Sequence, residues 1–216
     1  ASRPHIEVEL VAEIGIRLGT VRAIDLSDYE PENERIFLCH RPEGPDVIGT
    51  PLKNGSDGER YINIATPLRD SIDDYIATNR NDVRDQYGRE PLLTTPNGRP
   101  STTTIRRDFY KVTRPCVYDN HCPHDRDPST CEAATSHGAS ECPSSFSPHP
   151  LRKWAIMHHL DAGVPKELLS DRADVSVPVL EKHYDLRSED RKADQRREEL
   201  ARNLDSYATD GTDGNQ

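Results

Sequence analysis

Aromatic side chains are scarce in this chain of 216 residues: one Trp, three Phe and eight Tyr, or 6% of the total. A core built from it must be mainly aliphatic. Apolar runs of membrane-spanning length are also missing, which excludes a helical membrane span. There is no G-x-x-x-x-G-K-[ST] loop and no cluster of acidic ligands. Phosphate chemistry driven by a nucleotide or by a carboxylate-held metal therefore has no motif here. The chain opens without Met and without a signal-peptide pattern, and is expected to be a piece of a longer protein. Its length suits one good core, or one core with an appendage.

Lysine is rare too. Only six of the 28 basic residues are Lys, and the rest are Arg. The net charge of -10 lacks the basic excess usual in nucleic-acid binders. Abundant Asp and Glu, few Lys and low hydrophobicity match proteins kept soluble in very high salt, as in salt-loving archaea. An ordinary acidic cytosolic protein is the plainer alternative. In high salt, contacts to DNA phosphates work against a steep ionic-strength penalty, so hydrogen bonds and shape must carry more of the affinity.

Helical spacing of Ile6, Leu10, Val11 and Ile14 predicts an opening helix, after which Gly15 and Gly19 bracket Arg17 and VRAIDLSDY enters a loop. Residues 33–40 and 59–64 read as strands, with KNGSDG a tight polar turn that puts Lys53 near a hairpin tip. Leu68, Ile72, Tyr75 and Ile76 fall on one helical face. Ser101 caps a helix carrying Arg106, Arg107, Lys111 and Arg114, a local positive patch and a candidate face for DNA phosphates. Residues 115–147 lose all periodicity. Ser147 then caps a helix with Pro148 at its first position, PKELLS is a short helix, and Ser176 caps another that ends at Tyr184. SEDRKADQRREELARNL reads as a charged helix and 205–216 as a disordered tail.

Five separated residues carry phosphodiester chemistry: Arg17, Lys53, His149, Arg152 and Tyr184. His149 and Arg152 share one helix face three residues apart, at the helix end that attracts anions. An Arg fork grips two phosphate oxygens, as Lys cannot. Lys53 on a turn can reach a leaving oxygen, and the Tyr184 phenol can attack phosphorus. Each alone reads as an ordinary surface or core residue. The ordered set carries the argument.

That set resembles the catalytic domain of tyrosine recombinases, the phage-integrase family. The family's first catalytic Arg lies in a G-L-R-x-x-E-like segment followed by a Leu-rich stretch and S-D, and GIRLGTVRAIDLSD follows it with Arg17. Lys53 matches the Lys of the family's strand-turn-strand unit, SPHPLR its H-x-L-R box, and HYD its nucleophile. The Cys-rich insert and SDRADVS…LEKHYDLRSEDRK look most like integrases from haloarchaea. Two departures stand out. The usual Glu after the first Arg is Thr20, and the His or Trp that precedes the nucleophile falls in LLSDRADVS. There Arg172 is the closest substitute, with Asp171 one position away.

The resemblance implies an α+β, mainly helical catalytic domain over 1–204, N-terminally truncated, with a small antiparallel sheet and an insert at 115–147. It implies DNA strand cleavage and rejoining through a 3′-phosphotyrosyl bond, with no catalytic cofactor, on double-stranded DNA, by a cytoplasmic enzyme acting with other protomers, ordinarily four. Three alternatives remain open: a non-catalytic zinc-containing DNA-binding module, an inactive integrase fragment, and a type IB topoisomerase-like enzyme. Cys116, Cys122, Cys131 and Cys142 crowd the insert at C-x5-C-x8-C-x10-C spacing, with His121, His124 and His137 among them. Four thiolates can hold one structural zinc and give a coreless segment its fold. Free thiols or disulfides are the alternatives. Cys39 reads as a small buried apolar residue.

Overall fold

The computed structural model describes residues 1–42, 49–135 and 137–204. Helix α1 (Arg3–Ile14) begins at Ser2, whose hydroxyl accepts from the His5 N–H, and ends at Gly15 in the left-handed region at φ 74°. Its face of Ile6, Leu10, Val11 and Ile14 is completely buried, as the spacing predicts. Gly15 is needed twice over. Its φ is positive, and a Cβ there would stand 3.3 Å from Ile156 Cγ1. The next residues depart from the expected loop: Leu18–Ala23 form a short helix, α2.

Three strands follow, β1 (Tyr29–Glu30), β2 (Arg35–Leu38) and β3 (Arg60–Asn63), in antiparallel order β1-β2-β3. Ile36 pairs with Ile62 on the core side and Phe37 with Tyr61 on the other. The strands are shorter than the apolar pattern suggests. The β2–β3 connection is also far longer than a tight hairpin. Lys53 sits in a turn just before a 3-10 turn at Gly55–Gly58, which leads into β3.

Helix α3 (Thr66–Thr78) buries Leu68, Ile72 and Tyr75. Helix α4 (Thr102–Val112) is capped by Ser101, whose hydroxyl accepts from the Thr104 N–H at 3.0 Å. A single turn, α5 (Cys116–Asp119), opens the irregular stretch before α6 (Pro148–Asp161), α7 (Lys166–Ala173), α8 (Val177–His183) and α9 (Glu189–Asn203). Ser147 and Ser176 occupy the cap positions of α6 and α8, but neither hydroxyl makes a capping hydrogen bond. At α6, Pro150 in the third position lacks the N–H that such a cap would serve. The tail at 205–216 lies outside the described residues.

The core is aliphatic, as the composition requires. The main cluster joins α1, α3, α4 and the sheet. A second cluster of Ile156, Leu160, Leu169, Ala173, Val175 and Leu180 fixes α6, α7 and α8, with Tyr184 packed against it. Each fully buried Ile or Leu is worth roughly 1.5–3 kcal/mol. Charge does structural work as well. Asp25 and Asp28 are buried, and Arg41, Arg89 and Arg99 reach them from distant segments. This network ties the loop after α2 to the irregular chain between α3 and α4. Among the described residues no helix is long and apolar enough to cross a membrane.

Candidate active site

All five residues singled out in the sequence line one open cavity of 770 Å³. Each arrives on a different support. Arg17 is the cap residue of α2, directly after the Gly15 turn and the buried Ile16. Lys53 is exposed on its turn, held by the buried Leu52 beside it. His149 and Arg152 lie in the first two turns of α6, and Tyr184 ends α8. Its backbone N–H caps Leu180 O at 2.9 Å.

Arg152 is the most constrained member. It is 6% exposed, and its guanidinium donates to Gly15 O and, at 3.0 Å, to Ala173 O. One side chain thus bolts α6 to the end of α1 and to the end of α7. Burial, reinforced by the neighbouring Arg17 charge, lowers the pKa of Arg152. The Tyr184 side chain lines the same cavity. An unfavourably placed cation of this kind is stabilised by an incoming anion.

Arg17 donates through Nη1 to the Asp174 carboxylate and through Nη2 to Asp174 O at 2.7 Å. The same carboxylate accepts from Asn54 Nδ2 at 2.6 Å, next to Lys53. The cavity lining therefore carries Arg17, Lys53, Arg106 and Arg152 against one carboxylate, Asp174. A chain with net charge -10 has gathered a cationic pocket. Pro148 and Pro150 remove two backbone donors from the first turn of α6, so that turn offers an anion its positive dipole end and the His149 side chain.

Tyr184 is steadied from its C-terminal side. Asp185 is buried, receives two hydrogen bonds from Arg187, at 2.7 and 2.9 Å, and lies 3.1 Å from Lys166 Nζ. The Arg187 hydrogen bonds, then those of Lys166, hold its carboxyl well below the usual carboxylate range. Arg187 also donates to Leu160 O and to Gln195 of α9. The charged helix α9 is thus clamped in place through the buried Gln195, while Leu200 and Leu204 remain exposed.

Two sequence expectations need correction. Arg172 does not line the cavity. Its guanidinium turns the other way, donating to Asn63 O at 2.8 Å and facing Glu13, while its own carbonyl accepts from Arg60. Asp171 does not line the cavity either; the residues of that segment that do are Asp174, Val175 and Ser176. Arg114 is also unavailable to DNA: it is buried and its guanidinium donates to Ala133 O. Arg106 and Lys111 are exposed, Arg107 is half-buried, and Arg106 reaches the cavity itself. Asp174 and Asn54 were missed in the sequence because nothing local marks them; they are defined by a contact between remote segments.

Cys116, Cys122, Cys131 and Cys142 are half-buried free thiols. All four, with His124, line a second cavity of 260 Å³. Among the described residues no three His, Cys, Asp or Glu are arranged to hold a metal ion, so the thiols share a cavity without forming a finished cage. The buried apolar side chains of this segment are Ala133 and Ala139, which is very little core. Cys39 is half-buried in the chain after β2, with its thiol against Glu59.

No protein-family model and no curated protein matches the chain. Its fold, however, is similar to solved structures. The crystal structure of XerA recombinase matches with a TM-score of 0.58 at 16% identity, over 94% of this chain and 56% of that one. The Tn1549 transposon integrase in complex with circular intermediate DNA matches with a TM-score of 0.61 at 16% identity, over 93% and 59%. The same integrase with transposon right end DNA gives 0.59 at 16%, over 92% and 58%. The chain therefore spans less than two thirds of the length of these proteins. The fold expected from the resemblance is the fold observed: mainly helical with a small antiparallel sheet, similar to the fold of these solved structures.

Proposed function

We propose that this chain is the catalytic portion of a tyrosine-type site-specific recombinase, which cuts and rejoins double-stranded DNA through a 3′-phosphotyrosyl intermediate. One observation carries the reading. Residues spread from Arg17 to Tyr184 meet at a single cationic cavity. The shared fold agrees with it.

The chemistry follows from the side chains. Tyr184 attacks the scissile phosphorus, the P–O bond to the 5′ carbon's oxygen breaks, and a free 5′-hydroxyl leaves. Arg17 and Arg152 stabilise the charge that builds on the non-bridging oxygens, and being held in advance they need little reorganisation. Lys53 gives its proton to the leaving oxygen. His149, on the first turn of α6, takes or orients the phenolic proton, since a phenol that keeps its proton is a weak nucleophile. A 5′-hydroxyl from a second strand then reverses the step. The phosphodiester bond is conserved in the protein link, so no ATP or catalytic metal enters. Arg106 and Lys111 of α4 contact flanking phosphates.

The reading extends to a cytoplasmic enzyme that works as several protomers on DNA. Cys116, Cys122, Cys131 and Cys142, which line one cavity, would be the residues to hold one structural zinc, which would supply a fold to this coreless segment. The acidic, Lys-poor surface suits a salt-rich cell. The test is covalent capture. A pool of nicked duplexes with randomised flanks is incubated with the protein and denatured, and protein-linked strands are recovered. Linked strands with the wild-type chain and none with Tyr184→Phe are expected. Equal recovery from both removes Tyr184 from its role.

A further inference from the structure

We infer that Asp174 is a positioning residue of this site: its carboxylate sets the Arg17 guanidinium and, through Asn54, docks the Lys53 turn against it. The inference rests on the proposed recombinase chemistry and adds a residue to it. Three observations carry it. The carboxylate is bonded on both oxygens, to Arg17 Nη1 on one and to Asn54 Nδ2 on the other. These partners come from the α1–α2 junction and from the turn before β3, so one side chain joins three segments at the cavity wall. Asp174 also holds a left-handed backbone, φ 54° and ψ 55°, as the C-cap of α7. Glycine is the ordinary residue at such a cap. A side chain kept there at a steric cost, and pointed into a functional cavity, is retained for what it binds.

The physical effect is preorganisation. An Arg side chain has many rotamers, and a carboxylate gripping one edge of its fork selects one of them. Asp174 O adds a second anchor on Nη2, and the remaining N–H groups of Arg17 stay free to meet a phosphate oxygen. The Asn54 branch does the same for Lys53, whose own side chain is exposed. The carboxylate costs some attraction for DNA and returns it as geometry. A misplacement of about 1 Å at a reacting centre can cost a hundredfold in rate.

The left-handed backbone dictates the variants. Asp174→Ala would strain it, so Asp174→Gly removes the side chain and Asp174→Asn removes only the charge. The rate of covalent adduct formation on nicked duplex should fall roughly ten- to a hundredfold in Asp174→Gly, with DNA affinity equal to the wild type's or modestly higher. In an Arg17→Ala background the same substitution should cost clearly less than in the wild type, because the Arg17 branch is already lost and only the Asn54 branch remains. Asn54→Ala should slow cleavage of ordinary DNA. It should leave cleavage untouched where a 5′-bridging sulfur replaces the leaving oxygen, since a thiolate departs without a proton from Lys53. Fully additive losses in the Arg17→Ala background, or no sulfur rescue for Asn54→Ala, would overturn the assignment. So would tighter DNA binding with faster adduct formation in Asp174→Asn, which would make the carboxylate a blocking group. Failure of the recombinase reading is visible separately as absence of adduct in the wild-type chain. The contact itself is then read by NMR, as restricted Arg17 Nη–H resonances that Asp174→Gly abolishes; unchanged resonances contradict it.

Discussion

Glu7 should make this protein lose stability as pH rises through neutrality. It lies on α1 with no exposed surface, against Arg3 and against Asp108 of α4. Burial, then the Asp108 charge, pushes its carboxyl up to about 9, although Arg3 opposes the shift. Arg3 Nε is 3.1 Å from Glu7 Oε1, yet neither Glu7 oxygen has an aligned hydrogen-bond partner. The folded pKa is raised above the unfolded value of 4.5. The folded state therefore holds a proton that the unfolded chain releases. The stabilising contribution is complete below pH 4.5 and is lost progressively until about pH 9. Each pH unit inside that window costs about 1.4 kcal/mol. Glu7→Gln keeps the shape and cannot ionise. Its stability advantage over the wild type should be near zero below pH 4.5 and grow by roughly 4 kcal/mol between pH 5 and pH 8. Urea unfolding of both proteins at matched ionic strength across that range measures the gap, and other titrating groups cancel in the difference. A gap that stays constant or narrows refutes the reasoning.

Asp185→Asn should destabilise the chain by roughly 2–3 kcal/mol at pH 7, because Arg187 and Lys166 lose a buried charged acceptor. Here the folded pKa is strongly depressed, so the contribution is full above the ordinary Asp range and erodes only as pH falls through that range and well below it; the penalty should be the same at pH 7 and pH 5 and begin to shrink at pH 3 without vanishing. Arg106→Ala should weaken DNA binding evenly across sequences and reduce the salt slope by about one ion. Arg114→Ala should instead lower thermal stability with the DNA salt slope unchanged, since it serves Ala133 O. Elemental analysis of purified protein should find one zinc per chain that Cys122→Ser or Cys131→Ser loses; four freely titratable thiols with no metal would exclude the site.

The helices were legible where a simple period recorded their burial. Ile6, Leu10, Val11 and Ile14 announce α1, and Leu68, Ile72 and Tyr75 announce α3. The five site residues were legible for another reason: their chemistry and order are unusual even though each sits in an unremarkable local pattern. What was hidden depends on contacts between remote segments. Arg172 and Asp174 are two positions apart, and only the left-handed turn at the end of α7 decides which of them faces the cavity. Arg114 has the same composition signal as Arg106, but Ala133 O claims it. The cap at Ser147 makes no side-chain bond because Pro150 lacks the N–H it would have served. The network of Asp25 and Asp28 with Arg41, Arg89 and Arg99 spans loops that carry no periodicity at all.

The central claim is that a phenol and a set of separated cations act on one phosphorus atom. Mass spectrometry of the peptide recovered from trapped DNA after nuclease and protease digestion tests it directly. The account predicts a nucleotide joined through its 3′-phosphate to Tyr184. Attachment at any other residue, or an adduct that survives Tyr184→Phe, would contradict it.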